Sequence, residues 1–323
     1  MEKFAQTQHN DISKAVERKQ NETGRIGLTG TKANGRPPES RHPTLDSFRQ
    51  QPPREQRLNK PAKNTSAKPL KVVTYNIHKG FSQFNQNMMV HELRKQLRTL
   101  GADIVFLQEV QGMHSKHARN IDNWPESPQQ DFLAEDVWHS TAYGRNVIYD
   151  HGHHGNAILS RYHIEHAHNQ DVTHLRFERR GLLHCSIKVP GLAKPAHCVS
   201  VHLSLFARSR RKQMDALAGY LESIADSDSP LIIAGDFNDW RDEANKLLAA
   251  RLGLSEAFGG GHDNPASPGR SFPARLPVLR LDRIYVRGFS VSHARIHFGD
   301  PWSKISDHAA LSAHLSHQTA APK

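Results

Sequence analysis

Cysteine is almost absent from this chain: 323 residues contain two, Cys185 and Cys198. Two thiols make no disulfide framework, and because both lie in apolar, strand-like runs they are expected to be buried and free. Long hydrophobic runs are missing too. Nothing approaches the roughly 20 apolar residues of a membrane span, so no integral membrane segment is expected. The opening Met1-Glu2-Lys3-Phe4-Ala5-Gln6 lacks the apolar core of a secretory signal, which makes a cytoplasmic location the expectation. Aromatics are scarce over residues 1–69, where only Phe4 and Phe48 stand beside seven prolines. Such a segment cannot bury enough apolar surface to offset its ordering entropy. Residues 1–69 are therefore read as a disordered, basic, proline-rich extension with a frayed helix near 10–20. No internal repeat is evident.

Charge is unevenly spread. Residues 1–70 hold 14 Lys/Arg against 7 Asp/Glu, and the rest of the chain holds 29 against 25. Most of the formal +11 thus belongs to the extension, and the remainder is only mildly basic. Net charge alone therefore argues weakly for nucleic acid as a partner.

From Leu70 onward the pattern changes. Leu70 to Ile77 is rich in β-branched residues and reads as a strand. Val90, Leu93, Leu97 and Leu100 fall on one helical face, as do Met214, Leu217, Leu221 and Ile224. A helix is expected over Asp131 to His139. Short strands are expected at Ile104–Leu107, Asn156–Leu159, Leu182–Val189, Cys198–Leu203, Leu231–Ala234, Arg283–Val286 and Ala310–Leu315. Strands interspersed with helices indicate an α/β domain over residues 70–316 with more than one sheet, followed by a short tail, 317–323.

Polar residues recur where the apolar runs end. Asn76 follows the first strand, Gln108 and Glu109 the second, and His202 follows Val199-Ser200-Val201. Asp236 and Asn238 follow Leu231-Ile232-Ile233; Asp282 precedes Arg283-Ile284-Tyr285-Val286; Asp307-His308 precedes another apolar run. One polar strand end is usually a turn former, but six in one domain point to convergence on one rim. The inventory is mostly oxygen: Glu109, Asp236, Asp307, Asn76 and Asn238. That suits a hard cation, Mg²⁺ or Mn²⁺, better than zinc. A histidine paired with an aspartate adds an acid, base or phosphate-oxygen donor, and the set fits attack of water on a phosphorus ester.

Seven segments in order, TYNIHKG at 74–80, LQEV at 107–110, GNAILSR at 155–161, VHLSL at 201–205, GDFND at 235–239, LDRIYV at 281–286 and SDH at 306–308, resemble the motifs of the endonuclease/exonuclease/phosphatase superfamily. The resemblance covers roughly residues 70–315. It implies a DNase I-like four-layer α/β sandwich, with two mixed β-sheets packed face to face and helices outside. It also implies roles. Glu109, Asn76 and Asp307 would stand on the metal side. Asp236 would orient or deprotonate the attacking water, and Asn238 would hold that water or a phosphate oxygen. His308, oriented by Asp282, and His202 would donate to phosphate oxygens, the kind of interaction expected to contribute most to catalysis. Arg180, Asn156 and Tyr143 are candidates for substrate or phosphate contact, and Asn146 could face substrate from the same side. A histidine at 202, and a histidine at 78 where abasic-site endonucleases commonly carry an acidic residue, argue against abasic-site repair.

The remaining polar clusters have plainer readings. His151-Gly152-His153-His154 lacks the companions of a zinc site and reads as a loop bordering the active site. Arg208-Ser209-Arg210-Arg211-Lys212 opens the helix of Met214, where cations oppose the helix dipole. That placement favours an anionic partner or an acidic neighbour. Trp240 and Trp302 either wall the pocket or pack. The expected protein is a monomeric, Mg²⁺- or Mn²⁺-dependent phosphoester hydrolase of the phosphodiesterase or nuclease type. Its partner would be a phosphoester substrate, with nucleic acid one candidate. A phospholipid-headgroup or small-molecule phosphatase is the alternative within that chemistry. A non-catalytic binding protein on the same scaffold is the alternative outside it, and the intact polar set speaks against it.

Overall fold

The computed structural model describes residues 68–83, 86–259 and 269–318. The expected disorder of residues 1–69, the frayed helix within them and most of the tail 317–323 lie outside the described residues.

Twelve strands form two six-stranded mixed sheets. The first is built from β1 (Leu70–Asn76), β2 (Ile104–His114), β3 (Ser140–Tyr149), β4 (Gly152–Ser160), β11 (Phe289–His297) and β12 (Ala310–His317). Its order is β11-β12-β1-β2-β4-β3. The second contains β5 (Ile164–Asp171), β6 (Gly181–Ile187), β7 (Ala196–His202), β8 (Leu231–Asp236), β9 (Ser255–Glu256) and β10 (Asp282–Arg287), in the order β5-β6-β7-β8-β10-β9.

The central strands are apolar on both faces because each sheet is covered on both sides. Alternation sorts their side chains into layers. Val72, Ile104, Phe106 and Ile158 point inward to meet Cys185, Cys198, Ile232 and Ile284 of the other sheet. Val73, Tyr75, Val105 and Leu107 point outward onto Val90, Leu93 and Leu97 of the helix Val90–Leu100. On the far side, Val199, Val201 and Ile233 pack on Met214, Leu217 and Leu221 of the helix Ala207–Ile224. Helix, sheet, sheet and helix make the four-layer sandwich that the sequence implied. Among the described residues no helix is long and apolar enough to cross a membrane.

Several boundaries differ from the sequence reading. The helix expected over Asp131–His139 spans Gln129–Ala134. β2 does not stop at Leu107 but continues to His114. The expected loop at His151–His154 is the turn into β4, which begins at Gly152. Ile224 ends its helix 39% exposed, outside the apolar stripe. The unforeseen strands β3, β5, β9 and β11 are the four sheet edges. An edge strand has fewer packed neighbours and carries less apolar patterning: β5, IEHAHNQD, has no fully buried residue. Cys185 and Cys198 are free, buried and directly opposite one another in the β6–β7 ladder.

Candidate active site

Parallel pairing brings the polar strand ends to one edge. Asn76 lies opposite Gln108 in the β1–β2 pair, and His202 lies opposite Asp236 in the β7–β8 pair. β10 runs antiparallel to β8 and starts at the same rung, with Asp282 facing Asp236. Gly235 is required just before that rung: a Cβ there would sit 2.0 Å from the Val201 carbonyl oxygen. The two sheets are tied together at this edge. Asn76 Nδ2 donates to Asp236 Oδ2 at 3.2 Å, and Gln108 Nε2 donates to Ser200 Oγ at 3.1 Å. Ser306 Oγ donates to the Asn76 carbonyl at 2.7 Å, which fixes the segment delivering Asp307 and His308.

The site is also where the backbone is strained. Of seven non-glycine residues with left-handed φ among the described residues, four are here: His78 (46°), Lys79 (57°), Glu109 (56°) and Asn238 (50°). Such conformations persist where surrounding structure over-determines them. Glu109 sits in a bulge, where the β2–β4 register slips between Leu107 and Val110; a bulge re-aims its side chain. The Lys79 carbonyl is held by Gln129 Nε2 at 2.8 Å. Asn238 is fixed by its own side chain, which donates to the Leu203 carbonyl at 3.0 Å, while its backbone N–H donates to Asp236 Oδ1 at 3.0 Å.

On the second sheet the polar groups form a buried proton-handling cluster. His308 Nδ1 meets Asp282 Oδ2 at 2.7 Å, and His308 Nε2 stands 3.8 Å from Asp236 Oδ2. His202 Nε2 is 3.6 Å from the same oxygen. Burial pushes the Asp236 carboxyl up to about 7, against the pull of His308 and with the push of Asp282. Burial alone would strip the proton from His308, but the Asp282 and Asp236 carboxylates outweigh it and hold the imidazolium well above its ordinary range. Burial and the charge of Arg180 push His202 the other way, well below it. Two histidines on one carboxylate are thus poised in opposite protonation states.

On the first sheet the carboxylates are matched with cations. Lys79 Nζ donates to Glu109 Oε2 at 2.9 Å, and His78 Nδ1 lies 3.3 Å from Asp307 Oδ1. Burial would raise the Glu109 carboxyl, yet the charge of Lys79 and its hydrogen bond, with the charge of His78, hold it well below the usual range. Asp307 is likewise held down, against burial, by His78 and His308. Two ionised carboxylates that feel each other's charge, with Asn76 beside them, fit a hard divalent cation. Among the described residues, Asp236, Asp282 and His308 also bring three donor atoms within 4.8 Å of one another. Their short histidine–carboxylate bond already commits the His308 Nδ1 proton to Asp282, which suits proton handling better than a cation cage.

The other candidates separate. A cleft is lined by Glu109, Asn146, His154, Asn156, Arg180 and His202. Arg180 is anchored in it by Glu178 at 3.0 Å and by the Leu203 carbonyl at 3.3 Å. Asn156 donates to the Gly181 carbonyl at 3.0 Å and leaves its own Oδ1 buried without a partner. Tyr143 is not among the lining residues; it packs with the helix-side core and its hydroxyl meets His153 Nδ1 at 2.9 Å. Trp302 is a packing residue, edge-to-face with Tyr75 at 5.6 Å, whereas Trp240 is 40% exposed. The basic run has acidic neighbours: Arg210 is fully buried 3.9 Å from Asp239, and Arg211 pairs with Glu243. A groove of about 460 Å³ lies away from the chemistry, against His91, Arg94, Lys95 and Arg98.

Sequence reasoning assigned no role to Lys79 or Glu178. Lys79 lay inside a quoted motif, three residues after Asn76, and that proximity was the available signal. Glu178 reaches the site only through tertiary packing, whereas His154 belongs to the run expected to border it and does line the cleft.

Comparison with known proteins agrees with this geometry. Residues 73–308 match the sequence profile of the Endonuclease/Exonuclease/phosphatase family. The uncharacterized protein YbhP of Escherichia coli K12 is 47% identical over 245 residues, covering 76% of this chain and 95% of YbhP. An endonuclease/exonuclease/phosphatase from Beutenbergia cavernae superposes with a TM-score of 0.64 at 20% identity, over 78% of this chain and 72% of its own. The human Nocturnin catalytic domain, with a bound sulfate anion, superposes with a TM-score of 0.59 at 19% identity, over 77% and 95%. At such identities the structural likeness shows the shared fold.

Proposed function

The chain belongs to the endonuclease/exonuclease/phosphatase family, and on that premise we propose that it is a divalent-cation-dependent phosphoester hydrolase acting on a phosphodiester. One observation carries the reading: the buried Asp282–His308 pair and the raised Asp236 carboxyl share an edge with two ionised carboxylates, Glu109 and Asp307.

Each residue has work that follows from its surroundings. Asp236, pushed up to about 7, can accept a proton from water near neutrality. Asn76 and the Asn238 N–H hold its two oxygens in place for that transfer. The water oxygen bonds to phosphorus, the ester P–O bond breaks, and the leaving oxygen takes a solvent proton. The products are a phosphomonoester and an alcohol. His308 keeps its proton through Asp282 and donates from Nε2 to a non-bridging phosphate oxygen as negative charge grows there. His202, neutral beside it, can donate a second hydrogen bond from the cleft. Arg180, already aimed by Glu178, adds a fixed positive charge. Glu109, Asp307 and Asn76 would hold Mg²⁺ or Mn²⁺, which when bound neutralises the phosphate and polarises phosphorus.

The reading is tested with bis-p-nitrophenyl phosphate. Purified protein should hydrolyse it with Mg²⁺ or Mn²⁺ and stop in EDTA. Full activity after chelation would remove the cation from the mechanism, and no hydrolysis with either metal would remove the reading.

A further inference from the structure

Exposed apolar side chains are not scattered evenly over this molecule. Nine large hydrophobic residues are exposed among the described residues. The parallel strands β1, β2, β7 and β8 all end at the edge that holds the site, so the segments leaving them, and those entering β4, β6, β10 and β12, surround its mouth. Phe177 lies in the segment entering β6, and Trp240 follows β8. Leu276 and Val278 precede β10, and Phe298 follows β11. Met113 and Ile148 stand where β2 and β3 run beyond the site toward the β3–β4 turn. Seven of the nine therefore ring one edge; Ile224 is at the opposite end and Leu247 on an outer helix.

Cations are interleaved with this ring. Arg145, Arg176, Arg241 and Arg275 are exposed within three residues of Ile148, Phe177, Trp240 and Leu276 respectively. None of the four has an ion-pair partner among the described residues, whereas Arg211 and Arg251 pair with Glu243 and with Asp215 and Glu222. Apolar tips beside unpaired arginines match a surface with buried hydrocarbon under anionic headgroups. A nucleic-acid groove would instead interleave cations with aromatic platforms. Here the two most exposed tips, Ile148 and Leu276, are aliphatic, each 71% exposed, and Met113 and Val278 likewise offer no π-face, against three aromatic tips, Phe177, Trp240 and Phe298.

We propose that this edge docks on an anionic phospholipid membrane and that the phosphoester presented to the site belongs to a lipid headgroup. The second half rests on the phosphoesterase reading; the docking itself does not. Apolar tips enter the headgroup layer, arginines pair with lipid phosphates, and the cleft of Glu109, Arg180 and His202 faces the ester.

The test uses the full chain and sedimentation with vesicles of phosphatidylcholine and phosphatidylglycerol in equal parts. Residues 1–70 carry the same excess of cations in every variant, so the comparison is between proteins on one vesicle. Ile148→Ser/Phe177→Ser/Leu276→Ser should lower the partition coefficient by about tenfold or more. Turnover of bis-p-nitrophenyl phosphate and the circular dichroism spectrum should stay at wild-type levels. Arg145→Gln/Arg176→Gln/Arg241→Gln should flatten the salt dependence of partitioning. Equal partitioning of wild type and the triple serine variant overturns the docking. So does a loss of single-stranded DNA binding in these variants with vesicle binding intact, which would assign the edge to nucleic acid. Normal partitioning with no phosphorus released from the vesicles, while bis-p-nitrophenyl phosphate is cleaved, overturns the headgroup assignment alone. No turnover of either substrate with partitioning intact would instead remove the phosphoesterase reading.

Discussion

In the half of the site built on the first sheet, Glu109 and Asp307 stay ionised because Lys79 and His78 stand against them. In the half built on the second sheet, Asp236 is driven toward its protonated form by burial, and His308 holds a proton because Asp282 lies behind it. Both halves contain a histidine–carboxylate contact, yet they do different things. The His308–Asp282 pair is buried and short at 2.7 Å, which locks a proton in place. The His78–Asp307 pair is longer at 3.3 Å, with its side chains 20% and 21% exposed, so it is the more accessible of the two. Strand geometry thus supplies two rims, and on the proposed reading the deeper one would handle the proton and the shallower one would hold the cation.

The sharpest way to break this comparison is at Asp236. Asp236→Asn should lower turnover by roughly 10³-fold or more, with stability unharmed above neutrality. The sign follows from its raised folded pKa. The carboxyl contributes stability fully below its ordinary value of 3.8 and loses it as pH rises through about 7. Removing the ionisable group therefore takes nothing from the fold on the alkaline side. In wild type, the same group predicts turnover that climbs as pH passes through about 7. Near-normal rates in the variant, or a flat profile, would take the base role from Asp236. A smaller effect is expected on the other rim. Lys79→Met should tighten Mn²⁺ binding a few-fold, read by calorimetry without substrate, because a competing charge is gone from Glu109. Weaker binding would show that Lys79 builds the cation site instead of competing for it.

Much of this was legible in the sequence because buried parallel strands write themselves plainly. Leu231–Asp236 and Leu70–Asn76 are apolar, short and closed by polar residues, so both the strands and the rim they reach could be read. What escaped was set by partners distant in the chain. The edge strands β3 and β5 face water on much of their surface and carry little pattern. Glu178 matters because it catches Arg180, Ser204 and the Leu205 N–H, and no spacing rule connects those positions. The basic run Arg208–Lys212 was ambiguous for the same reason. Its buried member, Arg210, lies 3.9 Å from Asp239 and donates from Nη1 to the carbonyls of Ser204 and Leu205, contacts that exist only after the sandwich closes. Tyr143 shows the converse: it was expected to face substrate on the same side as Asn146, but it packs against the helix-side core.

The two thiols offer a use unrelated to chemistry at the rim. Cys185 and Cys198 face each other at the centre of the inter-sheet core, and burial pushes the Cys185 thiol up to about 12. Both side chains lie between the sheets, so an alkylating reagent is expected to reach them when the two sheets part. Their rate of modification is consequently a clock for opening of the whole sandwich, carried by the native sequence and needing no engineered label.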